Sequence, residues 1–265
     1  MSFEMALVVG SLAFGGGMVA GLLGAGGGVT MVPLLLYVPQ MLGMGALDVK
    51  TVAALTIVQG FFASTSGLIS HRNAGNVDKR IALGGGGLVL AGSLAGGVLS
   101  KWAPEVILLA LIGLVTLAAA AAMLLPGDRE AGAAVESEFH LRRLWPLSLL
   151  SVQGVLGGMV GLGGGFMAVP ILYGMVNVPI RVAIGSSLAL GWFGTIGGFM
   201  GKLVTHQVPL WLSVAVALGA VPGAQVGARL TRRVSGSHLR YLLVGLLVII
   251  SVRIWLEVVA RVGLV

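Results

Sequence analysis

Two glycine triplets, each followed five residues later by a proline, are the residues of this chain best placed to do chemistry. Residues 21–33 read GLLGAGGGVTMVP and residues 158–170 read GMVGLGGGFMAVP, so both share the pattern G-x-x-G-x-G-G-G-x-x-x-x-P. Glycine lets a ligand approach the backbone closely and adopts positive φ without strain. A helix that begins after such a turn offers free N–H groups and the positive end of its dipole. The pattern therefore predicts two stretches of backbone that attract an anion.

Helix packing is the alternative role of these glycines, because small residues let membrane helices approach one another closely. A single triplet would favour packing, and the other clusters, Gly15–Gly17 and Gly84–Gly87, are assigned to it. Two triplets at the same place of a repeated sequence favour a binding role instead.

The composition indicates a membrane protein. Hydrophobic residues make up 57% of the chain and charged residues 9%, whereas a soluble domain has about 25% charged residues. Apolar runs of about 20 residues recur along the chain and predict membrane-spanning helices, with no separate soluble domain. The formal net charge of +7 is typical of Lys and Arg in cytoplasmic loops, so the lipid bilayer and not nucleic acid is the expected partner. The absence of cysteine excludes disulfides and thiol catalysis.

The apolar segments form two similar halves. The glycine motifs align at an offset of 137 residues, and residues 52–64 align with 183–195 at an offset of 131, as is typical of duplicated transporters. The predicted parts are a first membrane repeat (1–125), a hydrophilic linker (126–143) and a second membrane repeat (144–265). The apolar segments are expected at about 5–45, 51–70, 81–100, 105–125, 144–178, 182–203, 209–230 and 239–257.

The relative direction of the halves depends on how often each glycine-broken segment crosses the membrane. Residues 5–38 would extend about 51 Å as one helix, which is too long for a hydrocarbon core of about 30 Å. With one crossing there, the halves are parallel and the 16 Lys and Arg residues divide nine to seven between the two faces. With a hairpin there, the halves are inverted and the division is eleven to five. The positive-inside rule favours the hairpin, with the linker in the cytoplasm and both termini outside.

These patterns predict an all-α polytopic membrane protein made of two homologous, inverted repeats. Each repeat is a glycine-broken helical hairpin followed by three transmembrane helices, and the parallel arrangement stays open as the alternative. The first residues, MSFEMALVV, lack the positive n-region of a signal peptide, so none is expected. Inverted repeats would bring the two glycine turns together near the bilayer midplane, where secondary transporters bind their substrates.

The duplicated glycine pattern resembles the TauE/SafE family of sulfite exporters, also called the toluene-sulfonate uptake permeases. Members open each of two repeats with a G-x-G-G-G…P segment, as this chain does at Gly24–Pro33 and Gly161–Pro170. The resemblance covers essentially the whole chain. It implies a secondary-type transporter in the cell (inner) membrane that moves small sulfur-containing anions, of the sulfite, sulfonate and sulfoacetate class, through a central site between the repeats. The motif does not choose among these substrates.

The candidate substrate contacts combine the triplets with polar side chains near them. Thr30 lies in the first turn after the first triplet, and Thr56 aligns with Ser187. Gln59 and Gln153 are rare amides inside apolar spans. Serine and threonine in membrane helices often bond their own backbone instead, which is the alternative for these hydroxyls. The predicted substrate-binding residues are Gly26, Gly27, Gly28, Val29, Thr30, Thr56, Gln59, Gln153, Gly163, Gly164, Gly165, Phe166 and Ser187.

Two basic residues lie near the predicted helix ends. His71 is expected to be solvated or to reach the lipid headgroups, and Lys202 is expected to reach the headgroups, with the guiding of anions as its alternative role. No Asp or Glu falls in the middle of a predicted span, although proton-coupled carriers usually keep a carboxylate there. The sequence contains neither H-E-x-x-H nor G-x-S-x-G, so an intramembrane enzyme is a weak alternative and an anion channel a stronger one. No cofactor and no catalytic residue are expected, and a homo-oligomer is left open.

Overall fold

The computed structural model describes residues 3–24, 28–124, 144–163, 165–175 and 178–262, which form helices joined by short loops with no strand among them. Seven of these helices are long and apolar enough to cross a membrane, so the chain is an all-α polytopic membrane protein. The predicted linker, 126–143, lies outside the described residues. In chain order the helices are α1 (Phe3–Leu23), α2 (Gly28–Met41), α3 (Val49–Asn73), α4 (Lys79–Leu99), α5 (Glu105–Leu124), α6 (Leu144–Val160), α7 (Gly165–Pro170, continued by a π-helical turn at Ile171–Met175), α8 (Ile180–Val204), α9 (Leu210–Thr231) and α10 (Gly236–Val262).

Both halves begin with a helix that stops at a glycine motif and a shorter helix that follows it. α1 ends at Leu23 and α2 begins at Gly28, while α6 ends at Val160 and α7 begins at Gly165. The 14 residues of α2 span about 21 Å, which is less than the hydrocarbon core of about 30 Å. Three long helices follow each broken hairpin, as the sequence predicts.

The central helices of the two halves, α3 and α8, are the most enclosed, with 72% of the most apolar stretch of each buried. Contacts along this pair join the early part of one helix to the late part of the other. Ile57 of α3 reaches Gly198 of α8, whereas Gly67 of α3 faces Leu188 of α8. The two helices therefore run antiparallel.

The last helices of the two halves, α5 and α10, also run antiparallel. Arg261 Nη1 lies 2.9 Å from Glu105 Oε2, whereas Arg240 Nε donates to the Met123 carbonyl oxygen at 3.0 Å. The start of α5 thus meets the end of α10, and the end of α5 meets the start of α10. The sequence repeat matches α3 with α8 and α5 with α10, and an inverted arrangement requires such partners to run in opposite directions.

The two halves interlock through close contacts between glycines and backbone. A Cβ atom at Gly17 of α1 would lie 2.6 Å from the Ala220 carbonyl oxygen of α9. Likewise, a Cβ atom at Gly92 of α4 would lie 2.6 Å from the Ser151 carbonyl oxygen of α6. The first helix of each half therefore packs on the fourth helix of the other, at a distance that only glycine allows.

We expect Gly92→Ala to lower the unfolding temperature and Gly87→Ala, also on α4, to keep or raise it. A methyl group at position 92 must displace the Ser151 carbonyl oxygen, whereas no atom lies within 4 Å of a Cβ atom at Gly87. Alanine is favoured over glycine inside a helix by about 1 kcal/mol, so it stabilises wherever there is space. Thermal unfolding of the detergent-solubilised protein measures both effects. An equal response of the two variants would contradict the close packing of α4 on α6.

Candidate functional site

Gln59 is a polar side chain in the most enclosed part of the molecule. It is fully buried and is the eleventh of the 25 residues of α3, close to the middle of a span. Neither its amide nitrogen nor its amide oxygen has a hydrogen-bond partner among the described residues. An unsatisfied buried polar group costs about 1–3 kcal/mol, and in native proteins such a group calls for an explanation. A polar ligand beside Gln59 would supply the missing partner.

Gly16 of α1 leaves space next to the Gln59 amide. A Cβ atom at Gly16 would lie 3.2 Å from Gln59 Nε2, 3.5 Å from Met31 Sδ and 3.6 Å from Thr30 Oγ1. Three helices of the first half, α1, α2 and α3, therefore converge on one polar cluster. Gly16 was assigned to helix packing from the sequence, but it borders this cluster instead. Its neighbour Gly17 does pack against the backbone of α9.

The two glycine motifs touch each other. A Cβ atom at Gly28 would lie 3.0 Å from Leu162 Cα and 3.4 Å from the Gly161 carbonyl oxygen. The backbone turns sharply on both sides of this contact, since Gly24, Gly161 and Gly163 have φ angles of +71°, +83° and +63°. Such angles favour glycine, so each motif makes a turn between helices and not a continuous helix.

The second glycine turn approaches α8 and, beyond it, α3. A Cβ atom at Gly165 would lie 3.2 Å from Gly191 Cα and 3.3 Å from the Ser187 carbonyl oxygen. Ser64 Oγ of α3 lies 3.5 Å from a Cβ position at Gly191, and this hydroxyl is buried without a hydrogen-bond partner among the described residues. The repeat aligns Ser64 with Thr195, which makes both possible donors to an anion, but neither is among the predicted substrate contacts.

The remaining residues of the predicted triplets are described only in part. Val29, next to Gly28, is fully buried in the first turn of α2, and Thr30 is 7% exposed. Gly26, Gly27 and Gly164, together with the side chain of Phe166, lie outside the described part of the chain.

Two hydroxyls among the predicted contacts are directed at backbone carbonyl groups. Thr56 Oγ1 donates to the Ala53 carbonyl oxygen at 3.0 Å, one turn earlier on α3. Ser187 Oγ lies 2.8 Å from the Ile184 carbonyl oxygen and 2.9 Å from that of Gly24. A hydroxyl has one proton to donate, so neither side chain has a spare donor for an anion. Ser187 instead ties α8 to the first glycine turn.

Gln153 occupies an unexpected place in the repeat. This amide of α6 is 1% exposed, and the offset of 137 residues pairs it with Gly16 of α1. The offset of 131 pairs Gln59 of α3 with Leu190 of α8. The first half thus carries its buried amide on its third helix, α3, and the second half carries its amide on its first helix, α6. Each half contributes one amide by a different helix.

The two basic residues expected at the lipid headgroups are buried, so that prediction is wrong. Lys202 is fully buried and donates from Nζ to Ser100 Oγ at 2.8 Å and to the Met159 carbonyl oxygen at 3.3 Å. His71 is 2% exposed, and its Nε2 lies 3.0 Å from the Gly21 carbonyl oxygen. Helices packed around the ends of α3 and α8 enclose both side chains and supply their partners.

Asp and Glu side chains are not found in the buried centre of the described structure. Among the residues that the structure describes, no Asp or Glu is buried, and no group of three or more His, Asp or Glu side chains is close enough to hold a metal ion. The centre of the molecule therefore presents amide and hydroxyl groups, glycine backbone and apolar side chains. Such surroundings can bind a small solute through hydrogen bonds, and they are better suited to an anion than to a cation.

Comparisons with known proteins agree with this architecture. The sequence pattern of the family described as sulfite exporter TauE/SafE matches residues 9–254. A probable membrane transporter protein of Xylella fastidiosa (strain Temecula1) is 31% identical over 237 residues, which is 88% of each chain. The probable membrane transporter protein YdhB of Bacillus subtilis is 28% identical over 220 residues, covering 81% of this chain and 86% of the relative. No solved structure matches the chain.

A relative from an archaeon extends the likeness over nearly the whole length. The probable membrane transporter protein MJ0441 of Methanocaldococcus jannaschii is 25% identical over a match that covers 93% of this chain and 95% of the relative. The family and these relatives are described as transporters and not as enzymes. Together with seven helices fit to cross a membrane, the match over residues 9–254 shows that this chain is a multi-pass membrane transporter that belongs to the TauE/SafE sulfite exporter family.

Proposed function

We propose that this transporter binds a small sulfur-containing anion, such as sulfite, a sulfonate or sulfoacetate, between its two glycine turns and carries it across the cytoplasmic membrane. The observation that carries the proposal is the Gln59 amide, which is fully buried in the middle of a span without a hydrogen-bond partner among the described residues. The family description supplies the sulfur chemistry, and the site supplies the preference for an anion.

The preference for an anion follows from the excess of donors over fixed negative charges. Gln59 Nε2 has two N–H bonds to donate and no hydrogen-bond partner among the described residues. The first N–H groups of α2 have no partner within the helix and lie at the positive end of its dipole. A sulfite or sulfonate group has three oxygens that accept such bonds. A cation would find no buried carboxylate among the described residues.

Both halves would contribute residues to the binding site. In this proposal the backbone of Gly26, Gly27 and Gly28 meets the anion from one side, and that of Gly163, Gly164 and Gly165 meets it from the other. The contact between Gly28 and Leu162 supports this, because it brings the two turns into direct proximity. Gln153 would serve the second half as Gln59 serves the first. Thr56 and Ser187 would shape the site through their bonds to backbone carbonyl groups.

The two membrane repeats, 1–125 and 144–265, are proposed to be inverted, with the linker 126–143 in the cytoplasm and both termini outside. The antiparallel course of α3 beside α8 and of α5 beside α10 supports an inverted relation. Such repeats allow alternating access, because one half can rock against the other around a shared site.

A carrier fits the structure better than a channel. Gln59 and Ser64 have no solvent-exposed surface, and Gly28 and Gly165 are buried. A channel needs a continuous polar pore, whereas the candidate site is enclosed on both sides by apolar helices. This enclosure supports a carrier whose central site is closed to both faces of the membrane in the described conformation.

We expect Gln59→Leu to weaken anion binding about 10- to 150-fold, because a lost charge-assisted hydrogen bond is worth about 1.5–3 kcal/mol. The variant without ligand should be at least as stable as the parent, since it removes an unsatisfied buried amide. Calorimetry with sulfite, a sulfonate, thiosulfate, sulfate and a carboxylate measures affinity and specificity together. Gln225→Leu is the matched control, because Gln225 is an exposed amide on α9.

A steric pair of variants tests the same position without touching the amide. Gly16→Ala places a methyl group 3.2 Å from Gln59 Nε2 and should weaken binding, whereas Gly15→Ala meets no atom within 4 Å and should not. Parent-like affinity in both Gln59→Leu and Gly16→Ala would place the binding site elsewhere in the molecule.

For the topology, we expect a reporter that is active only in the cytoplasm to be silent when fused after Val265 and active when inserted into the 126–143 linker. The expectation rests on the division of Lys and Arg, eleven to five, between the two faces. The antiparallel pairs described above support the same arrangement. Cytoplasmic signals at both positions would contradict the inverted arrangement, and a cytoplasmic signal at residue 265 alone would reverse the proposed orientation.

A further inference from the structure

The two central helices carry the same series of residues on one face. On α8 the series is Gly191, Thr195, Gly198 and Lys202, with the spacing i, i+4, i+7 and i+11 that places residues on one side of a helix. On α3 the offset of 131 residues gives Gly60, Ser64, Gly67 and His71. Each series ends on a buried basic residue near the C-terminal end of its helix, and that residue contacts a carbonyl oxygen at the start of its own half's glycine motif, Gly21 for His71 and Met159 for Lys202.

The environment of Lys202 is polar and lacks a negative charge. Its Nζ donates to Ser100 Oγ at 2.8 Å, and Ser100 Oγ lies 3.2 Å from Gln207 Oε1. Ion pairs within 4.0 Å among the described residues join Arg261 to Glu105 and Glu257, and none involves Lys202. The carbonyl ends of α8 and α6 supply only partial negative charge. A fully buried ammonium group with no counter-ion is costly, and a bound anion would offset that cost.

Further lysines lie between this cluster and the nearest aqueous face. Lys50 Nζ donates to the Lys101 carbonyl oxygen at 2.7 Å, on the residue that follows Ser100. Lys101 is exposed. The Asp48 carboxylate, which accepts the Thr51 backbone N–H at 3.0 Å, carries one negative charge against the two positive charges of Lys50 and Lys101. An anion in solution would meet Lys50 and Lys101 first and then Lys202, a charge arrangement that steers anions inward.

Two buried hydroxyl groups without a hydrogen-bond partner among the described residues, those of Ser93 and Ser64, lie along the α8 series that leads from Lys202 toward the glycine turns. Gly191, which touches Gly165, is 11 residues from Lys202, or about 17 Å along the helix axis. Between them, Ser93 Oγ of α4 lies 2.9 Å from a Cβ position at Gly198 and is fully buried without a hydrogen-bond partner in the described part of the chain. Ser64 provides a second such hydroxyl beside Gly191.

We propose that the Lys202 ammonium group forms a second anion-binding position, which the sulfur oxyanion occupies between the central site and the face that carries Lys50 and Lys101. Ser100 and Gln207 hold the lysine in place, because their own donors are bonded to the Gly97 carbonyl oxygen and to Thr205 Oγ1. This inference rests on the proposed function, since it needs an anion as the transported solute. The repeat-related positions at the other end of the molecule carry different residues. There His71 occupies the position of Lys202, and Thr231, which aligns with Ser100, bonds to the Gly21 carbonyl oxygen at 3.2 Å.

The test is Lys202→Met, with uptake of sulfite or of a sulfonate measured in proteoliposomes and affinity measured by calorimetry. Uptake should fall about 10- to 150-fold, the effect of losing a hydrogen bond to a charged group. Affinity at the central site should stay within about threefold of the parent, and the unfolding temperature without anion should not fall, because the buried charge is gone. Arg253→Met is the matched control, since it removes a cation that stacks on Tyr37 and lies off the α8 series.

Lys202→Gln separates charge from hydrogen bonding. The glutamine keeps a donor for Ser100 and the Met159 carbonyl group but removes the charge, so uptake should fall in this variant too. It also keeps the proposal testable if Lys202→Met does not fold. Parent-like uptake in Lys202→Gln, or uptake that falls only together with the unfolding temperature, would overturn the second position. If the parent protein neither binds nor transports any sulfur oxyanion, the proposed function fails. If the parent transports one and the Lys202 variants match it, only this inference fails.

Discussion

A hydrocarbon environment offers no water to polar groups, so each buried donor and acceptor needs a partner inside the protein. Much of this transporter obeys that constraint in plain ways. Thr116 and Thr56 return their hydroxyl protons to carbonyl groups of their own helices, and Ser66 and Ser251 donate to carbonyl groups of neighbouring helices. Glycines at the helix contacts remove side chains so that backbones touch. Against this background, the few groups without a partner among the described residues support the proposed ligand site.

Those unsatisfied groups follow the two central helices. Gln59 and Ser64 lie on α3, and Ser93 of α4 faces α8. The glycine turns reach the same pair of helices, because Gly24 accepts a hydrogen bond from Ser187 of α8 and Gly165 touches Gly191. A ligand bound there would contact elements of both halves. Relative movement of the halves would then change access to it, as alternating access requires.

The repeat provides similar backbones with unequal chemistry. One half has its amide at Gln59 and the other at Gln153, which aligns with Gly16. One central helix ends on His71 and the other on Lys202, each bonded to a backbone carbonyl group near the end of the first helix of its own half. Two equal halves would give a site that looks the same from either face. The differences place an imidazole at one end of the molecule and an ammonium group at the other.

The helices and the glycine-broken hairpins could be predicted from the sequence, because apolar length and the placement of glycine and proline are local properties. Gln59 was identified because an amide is rare inside an apolar span. The burial of His71 and Lys202 and the place of Gly16 beside Gln59 could not be predicted, since they depend on which helices pack around them. Lys202 illustrates the difficulty. A lysine near a helix end ordinarily reaches the headgroups, and only the close approach of α4 and α6 encloses it.

The central claim is that an oxyanion binds beside Gln59, between the glycine turns. Anomalous diffraction from crystals grown with selenite, the selenium counterpart of sulfite, locates the anion directly without altering the protein. The account predicts a selenium peak whose oxygens lie about 2.7–3.2 Å from Gln59 Nε2. If crystals grown with saturating selenite show selenium peaks elsewhere but none beside Gln59, the proposed binding site is wrong.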